Sequence, residues 1–226
     1  MIPPGDRPRP DLRPARPRLV VATRSEHKLR ELRQLLALDH AELVSLGDAG
    51  VPEGIEPVED GETFAANARL KARFYGRATG LPTLADDSGI EVDALHGRPG
   101  VRTRRYAGEH ATDDDNNRKL LSELSGLPPA RRTARYVCVL ALALPERASP
   151  RGGIGIVAET RGTCRGRIAA APKGANGFGY DPIFEPESEP PGGRTFGQWT
   201  PQAKNAISHR AKAARRMSAR LAALGF

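Results

Sequence analysis

Cysteine is scarce in this sequence: only Cys138 and Cys164 occur among 226 residues. Neither lies in a CxxC pair or at Cys/His ligand spacing, so a disulfide framework and a thiolate zinc module are set aside. Two buried, reduced thiols are expected instead. Long hydrophobic runs are missing too. None approaches a membrane span, and no apolar stretch follows the first basic residues, so neither an anchor nor a secretory signal is expected; the protein is read as soluble and cytoplasmic. The P-loop pattern is absent, and Gly177-Phe178-Gly179 does not join a strand to a helix as a dinucleotide-binding fingerprint must. Internal repeats are absent as well.

Acidic residues are outnumbered, with 27 Asp and Glu against 35 Lys and Arg, which leaves a formal net charge of +8. A basic balance suits a partner that carries phosphate, whether a free nucleotide or a nucleic acid. Part of the excess sits in residues 1–17, where Arg7, Arg9, Arg13 and Arg16 alternate with prolines. Such a segment buries too little apolar surface to offset the entropy of ordering. It is read as a disordered extension, followed by one folded domain over residues 18–226 that is long enough to bury a real core.

The domain opens with the apolar run Leu19-Val20-Val21-Ala22, read as a buried strand. Ser25 can then cap a helix from Glu26 to about Leu38, with Leu29, Leu32, Leu35 and Leu36 on one stripe. A second helix is expected from Glu62 to about Ala78, with Asp60 as a possible cap. A strand over residues 81–85 should end at Asp86-Asp87-Ser88-Gly89. Thr112 can cap a helix from Asp113 to about Leu124; its acidic trio Asp113, Asp114 and Asp115 is read as complementing the helix dipole rather than as a metal site. Long strands over residues 133–144 and 153–161, a glycine-rich loop and a final helix from Ser208 to about Leu224 complete an α/β pattern.

Four segments could carry chemistry. Thr23-Arg24-Ser25-Glu26-His27-Lys28 joins the first strand to a helix start, where free N–H groups and the dipole attract phosphate and Lys28 would add a full charge. Taken alone, Lys28 reads first as an ordinary solvated lysine, as most lysines on a first helical turn are. Glu59 and Asp60 precede a helix on which Asn67 and Lys71 share one face. Asp86 and Asp87 end a strand, where α/β sheets place their ligands; their side chains should diverge, one to substrate and one to anchor the loop. Paired carboxylates there suit Mg²⁺, which keeps several waters, although a plain Asp-Ser-Gly turn would read the same way. Last, the glycines around Phe178 and Tyr180 would let backbone approach a flat base while a ring stacks on it, and Ser208 could cap a helix that starts with His209 and Arg210.

Taken together and in order, these stretches resemble the inosine triphosphate pyrophosphatase family, the non-canonical purine NTP pyrophosphatases. The strongest matches are Thr63-Phe64 with Asn67-Ala68 and Leu70-Lys71-Ala72, Leu84 to Gly89, Gly177 to Phe184, and Ile207-Ser208-His209-Arg210. The resemblance implies an elongated mixed sheet flanked by helices, two lobes with a cleft between them, and a homodimer. It implies hydrolysis of inosine, deoxyinosine or xanthosine triphosphate to monophosphate and pyrophosphate with Mg²⁺. By the same analogy Asp87 is general base and metal carboxylate, and Glu59 the second metal ligand. Thr23, Arg24, Ser25, Glu26, His27 and Lys28 hold the triphosphate with Lys71, and Ser88 touches substrate. Phe178, Gly179, Tyr180, Asp181, Lys204, His209 and Arg210 bind the nucleoside, with the 6-oxo edge read by His209 and Arg210.

The chain departs from the family pattern at several positions. Arg24 and Ser25 stand where the first loop usually reads Gly-Asn, and Ala66 replaces a glutamate. Arg102, Thr103 and Arg104 follow Pro99-Gly100-Val101 in place of a Tyr-Ser-Ala run, and Gly197-Gln198-Trp199 replaces Ala-Glu-Leu. Two rival readings carry different expectations. A septum-inhibitor-like pyrophosphatase would act on other modified nucleotides, and the Ser208-His209-Arg210 corner speaks against it. A basic nucleic-acid-binding protein would need a recognisable module beside its charge, and none is present, so no specific nucleic acid is expected.

Overall fold

A computed structural model describes residues 16–145 and 153–226. The extension expected over residues 1–17 therefore lies, through residue 15, outside the described residues. Six strands form one mixed sheet in the order β2-β1-β3-β4-β5-β6. Their spans are Arg18–Ala22 (β1), Glu42–Val44 (β2), Thr83–Val92 (β3), Thr133–Pro145 (β4), Ile154–Ile168 (β5) and Phe184–Pro186 (β6). β1 lies parallel to β2 and β3, and the later pairings are antiparallel. Helices α1 (Glu26–Leu36), α2 (Phe64–Thr79), α3 (Asp113–Glu123), α4 (Pro201–Ile207) and α5 (His209–Ala223) flank the sheet.

Alternation along the strands sorts the core into two faces. Val20, Ala22, Ala85, Val137 and Val139 pack under Ala68, Ala72 and Tyr75 of α2. Leu19, Val21, Leu84, Leu140 and Leu142 turn the other way, against Leu29 and Leu32 of α1 and Ala214 and Met217 of α5. A further cluster around Ile90, Tyr136, Phe184 and Phe196 fills the far end, with Leu120 of α3 and its C-cap Leu124. The elongated, two-lobed mixed sheet expected from the resemblance is the architecture present. Cys138 and Cys164 are free and buried.

Three local expectations are corrected. The strand expected to stop before Asp86 runs on to Val92, pairing Asp87 with Val139 and Ile90 with Tyr136. The long apolar β4 offers a complete hydrogen-bonding partner, which outweighs the turn preference of Asp-Ser-Gly. α2 begins at Phe64, not Glu62, because Thr63 Oγ1 rather than Asp60 accepts the capping N–H, from Ala66 at 3.1 Å. A separate short helix, α4, precedes α5; Thr200 caps it and Pro201 occupies its first position, a favoured start.

Candidate active site

β1 and β3 last pair at Ala22 and Ala85. β1 ends there while β3 continues beside β4, and the connections through α1 and α2 cover opposite faces of the sheet. This is a topological switch point, where open α/β sheets leave a crevice beyond the carboxyl ends of their strands. The segments Thr23–Lys28 and Asp86–Ser88 both emerge from it.

Thr23 to Lys28 form a turn into α1. Ser25 caps the helix, its hydroxyl accepting the Lys28 N–H at 3.4 Å, while its own N–H donates to Thr23 Oγ1 at 3.1 Å. Glu26 and His27 occupy the exposed first turn, whose N–H groups have no acceptor within the helix. Lys28 reaches Asp86, Nζ to Oδ1 2.6 Å. Arg24 goes elsewhere: its guanidinium donates to the carbonyls of Pro52 and, at 3.3 Å, Ile55. It staples the loop that leads to Glu59.

Asp86 and Asp87 diverge as neighbours on a strand must. Asp86 is 1% exposed and accepts from the Ser88 hydroxyl (2.8 Å), the Cys138 thiol (3.1 Å) and Arg210 Nε (2.9 Å) besides Lys28. Burial opposes its charge, but Arg210 and Lys28 outweigh burial and hold its pKa well below the usual carboxylate range. Arg210 also donates to Ser88 Oγ at 2.9 Å and to Glu31 Oε2 at 2.5 Å. Glu31 takes Lys204 at 2.9 Å, Lys204 takes Asp181 at 2.6 Å, and the same Asp181 oxygen accepts the Phe178 N–H at 3.0 Å. One line of charge-assisted bonds thus runs from Lys28 to the Phe178 backbone.

Asp87 turns toward α2. Lys71 Nζ lies 2.7 Å from Asp87 Oδ1 and 3.2 Å from Glu59 Oε2. Burial disfavours the Lys71 charge, yet Asp87 and Glu59 outweigh it and raise its pKa. Burial likewise pushes the Asp87 pKa up, against the pull of Lys71 and Lys28. Asp87 Oδ2 is buried without a partner. Among the described residues, no three His, Cys, Asp or Glu side chains converge as a metal cage. Two carboxylates with one oxygen uncommitted fit a hard divalent cation that keeps waters and shares substrate oxygens.

At the other end, the Phe178 ring lies 5.2 Å from the His27 ring at 20°, with Lys204 Nζ 4.8 Å and the Arg210 guanidinium 5.6 Å from its centre. Gly177 adopts φ +78°, and a Cβ there would collide with the Asp181 carboxylate, so only glycine lets the loop fold back to this acid. His209 is buried and stacks on Tyr136 at 4.6 Å and 7°. Burial, then Arg210 and Lys204, hold its pKa well below the usual 6.5, so the ring is neutral; its Nδ1 has no partner. Ser208 caps α5 as expected, accepting the Ala211 N–H at 3.1 Å. Tyr180 serves the frame, donating its hydroxyl to the Thr103 carbonyl at 2.8 Å.

The expected residues are therefore gathered at one crevice, with Arg24 and Tyr180 directed to its supports. Two contributors were not singled out from sequence. In the sequence Asp86 reads as one of a carboxylate pair, with no role of its own, and Glu31 offers one faint signal, its three-residue spacing from Lys28 on the same helix face.

Known proteins share this framework. The Ham1 family model matches residues 19–220. A dITP/XTP pyrophosphatase of Geobacillus kaustophilus is 47% identical over 86% of this chain and 89% of its own length. One from Bifidobacterium animalis subsp. lactis is 44% identical over 87% and 93%. Among solved structures, a HAM1 protein from Coxiella burnetii superposes with a TM-score of 0.77 at 39% identity, covering 91% of this chain and 98% of that one. A dITP/XTP pyrophosphatase from Mycobacterium abscessus gives 0.66 at 44% identity over 88% and 98%. Matching from the first core strand into the last helix, with the same fold and at such identities, this chain belongs to the Ham1 family.

Proposed function

We propose that the chain hydrolyses non-canonical purine nucleoside triphosphates, namely ITP, dITP and XTP, to the monophosphate and pyrophosphate, and so clears them from the nucleotide pool. The observation that carries this reading is Asp86, whose single carboxylate holds both Lys28, at the phosphate end, and Arg210, at the base end. One nucleotide can therefore lie along the crevice with its triphosphate toward α1 and its purine toward Phe178. Relatives named as dITP/XTP pyrophosphatases support the substrate class.

In this reading the first turn of α1 and Lys28 receive the triphosphate. Asp87, its basicity raised by burial, takes a proton from the attacking water. The water oxygen bonds to the α-phosphorus, the bond from that phosphorus to the bridging oxygen breaks, and pyrophosphate leaves. Lys28 and Lys71 offset the charge on the departing group. Glu59 and Asp87 would hold the divalent cation, proposed as Mg²⁺, which when bound neutralises phosphate oxygens.

The purine would stack on Phe178. Unpaired N–H groups at the start of α5, the neutral His209 and the spare donors of Arg210 would meet the 6-oxo edge. An adenine amino group presents donors to those donors and leaves them unsatisfied, so ATP is rejected. A cytoplasmic location and a homodimer are proposed on the family resemblance; among the described residues no helix is long and apolar enough to cross a membrane.

The test is to incubate purified protein with Mg²⁺ and measure pyrophosphate release. ITP, dITP or XTP should turn over far faster than ATP or GTP. Equal rates on all five, or release of orthophosphate, would end the assignment.

A further inference from the structure

The loop that carries Phe178 is held from outside the nucleotide crevice, by α3. Gly179, with φ +62°, has both backbone polar groups claimed by that helix. Its N–H donates to Asp113 Oδ2 at 2.6 Å, and its carbonyl accepts from Asn117 Nδ2 at 3.0 Å. The two side chains stand one helical turn apart, so they form a fork that can grip one residue from a single face. Asn117 is 4% exposed, which makes its bond to the Gly179 carbonyl hard to replace by water without moving the loop.

The residue before Asn117 serves the same frame. Asn116 donates to the Arg104 carbonyl at 2.9 Å and accepts the Ala107 N–H at 2.8 Å, which fixes the turn Gly100–Arg105. That turn in its turn supplies the Thr103 carbonyl to Tyr180 and, through Arg105, a donor at 3.2 Å to the Glu59 carbonyl. α3 itself is well fixed. Thr112 and Asp115 form a reciprocal capping box, and Leu120 and Leu124 are fully buried.

We propose that Asp113 and Asn117 are positioning residues that set the Phe178 platform through Gly179, and thereby determine purine affinity without contacting the nucleotide. The inference rests on Phe178 being the purine platform. Without the fork, the loop relaxes so that water satisfies the Gly179 peptide groups. Binding a purine must then restore the ring's position, and the cost is paid on base recognition alone. The triphosphate end has its own supports in α1, Lys28 and Lys71, so its affinity should change far less. The acidic start of α3, readable from sequence as dipole compensation, therefore has a second employment.

The experiment measures equilibrium binding of two probes, inosine monophosphate and inorganic tripolyphosphate, to the full-length chain by calorimetry. Asn117→Ala should weaken inosine monophosphate about tenfold, the effect of one lost bond to a buried carbonyl, with tripolyphosphate affinity retained. Asp113→Ala should act in the same direction, and Asp113→Asn, which keeps an acceptor oxygen, should recover most of the loss. Thermal melts alongside identify any variant that fails to fold; the Asp113 pair, on an exposed first turn, then carries the test.

Phe178→Ala separates the inference from its premise. If that change leaves inosine monophosphate binding intact, Phe178 is not the platform and the underlying site reading fails. If it weakens binding while folded Asn117→Ala and Asp113→Ala do not, the role of α3 is overturned alone. Equal loss of both probes in the α3 variants would also overturn it, because a general loosening, not a platform effect, would be at work.

Discussion

Asp86 and Asp87 are adjacent and chemically identical, yet the strand sends them to different work. Asp86 is sealed between Lys28 and Arg210, so its removal would strand two cations in a buried site, one of them almost wholly enclosed. Asp86→Ala should cost about 3–5 kcal/mol of stability, read as a large drop in the urea midpoint. Asp87 keeps an uncommitted oxygen beside Lys71. Asp87→Asn should fold normally and lose at least about a hundredfold in turnover, the scale of a positioned general base; steady-state pyrophosphate release checks it, and an unaffected rate would remove Asp87 from the mechanism. His209 supplies a pH test. Its folded pKa lies well below the 6.5 of an exposed ring, so as pH falls the unfolded chain takes up the proton first. The neutral ring's contribution is complete above pH 6.5 and declines below it toward the folded pKa, at up to about 1.4 kcal/mol per pH unit. His209→Gln should show a shallower fall in urea stability between neutral and mildly acid pH than the wild type does.

Among the elements, the entry to α1 shows how one substitution can change a loop's duties. Arg24 stands where the family usually has glycine, and its guanidinium is committed to the carbonyls of Pro52 and Ile55. The Tyr75 hydroxyl donates to the same Ile55 carbonyl at 3.2 Å. The loop they hold carries Glu59 on its way to the α2 cap Thr63, so Arg24→Ala should loosen that carboxylate and raise the Mg²⁺ concentration needed for half-maximal turnover. A metal titration at saturating ITP reads this directly, and an unchanged midpoint would reduce Arg24 to a surface staple. The replaced Glu-to-Gln position is also accounted for locally: Gln198 accepts the Thr195 N–H at 3.2 Å and completes a capping box without needing charge.

Taken whole, the chain is a basic molecule whose most organised charge is internal. The chain of ion pairs from Lys28 to Asp181 lines the crevice, while the Arg-rich residues 1–15 precede β1. Pro17 takes part in the fold through its carbonyl, which accepts the Glu42 N–H at 2.9 Å, so a deletion should stop before it. Removing residues 1–15 should leave ITP hydrolysis intact while lowering any affinity for DNA in a filter-binding assay; loss of hydrolysis would give the arm a catalytic part. The proposed homodimer predicts about twice the chain mass of 24.3 kDa in light scattering, and a single-chain mass would refute it.

Elements whose signals are local were legible in the amino-acid order. The apolar run of β1, the Leu stripe of α1 and the caps Ser25, Thr112 and Ser208 all announce themselves within a few residues, because strand burial, helix periodicity and capping depend on near neighbours. The ordered motifs also identified the family. Tertiary structure alone decided what depends on distant partners. Continuing β3 through Asp86 and Asp87 required β4, more than 40 residues away in the register Asp87 to Val139. The engagement of Glu31 with Lys204 and Arg210 spans |i−j| separations of 173 and 179 residues, and no local pattern encodes such a meeting. A side chain's composition is written in the chain, but its electrostatic environment is set by which charges the fold brings within reach of it.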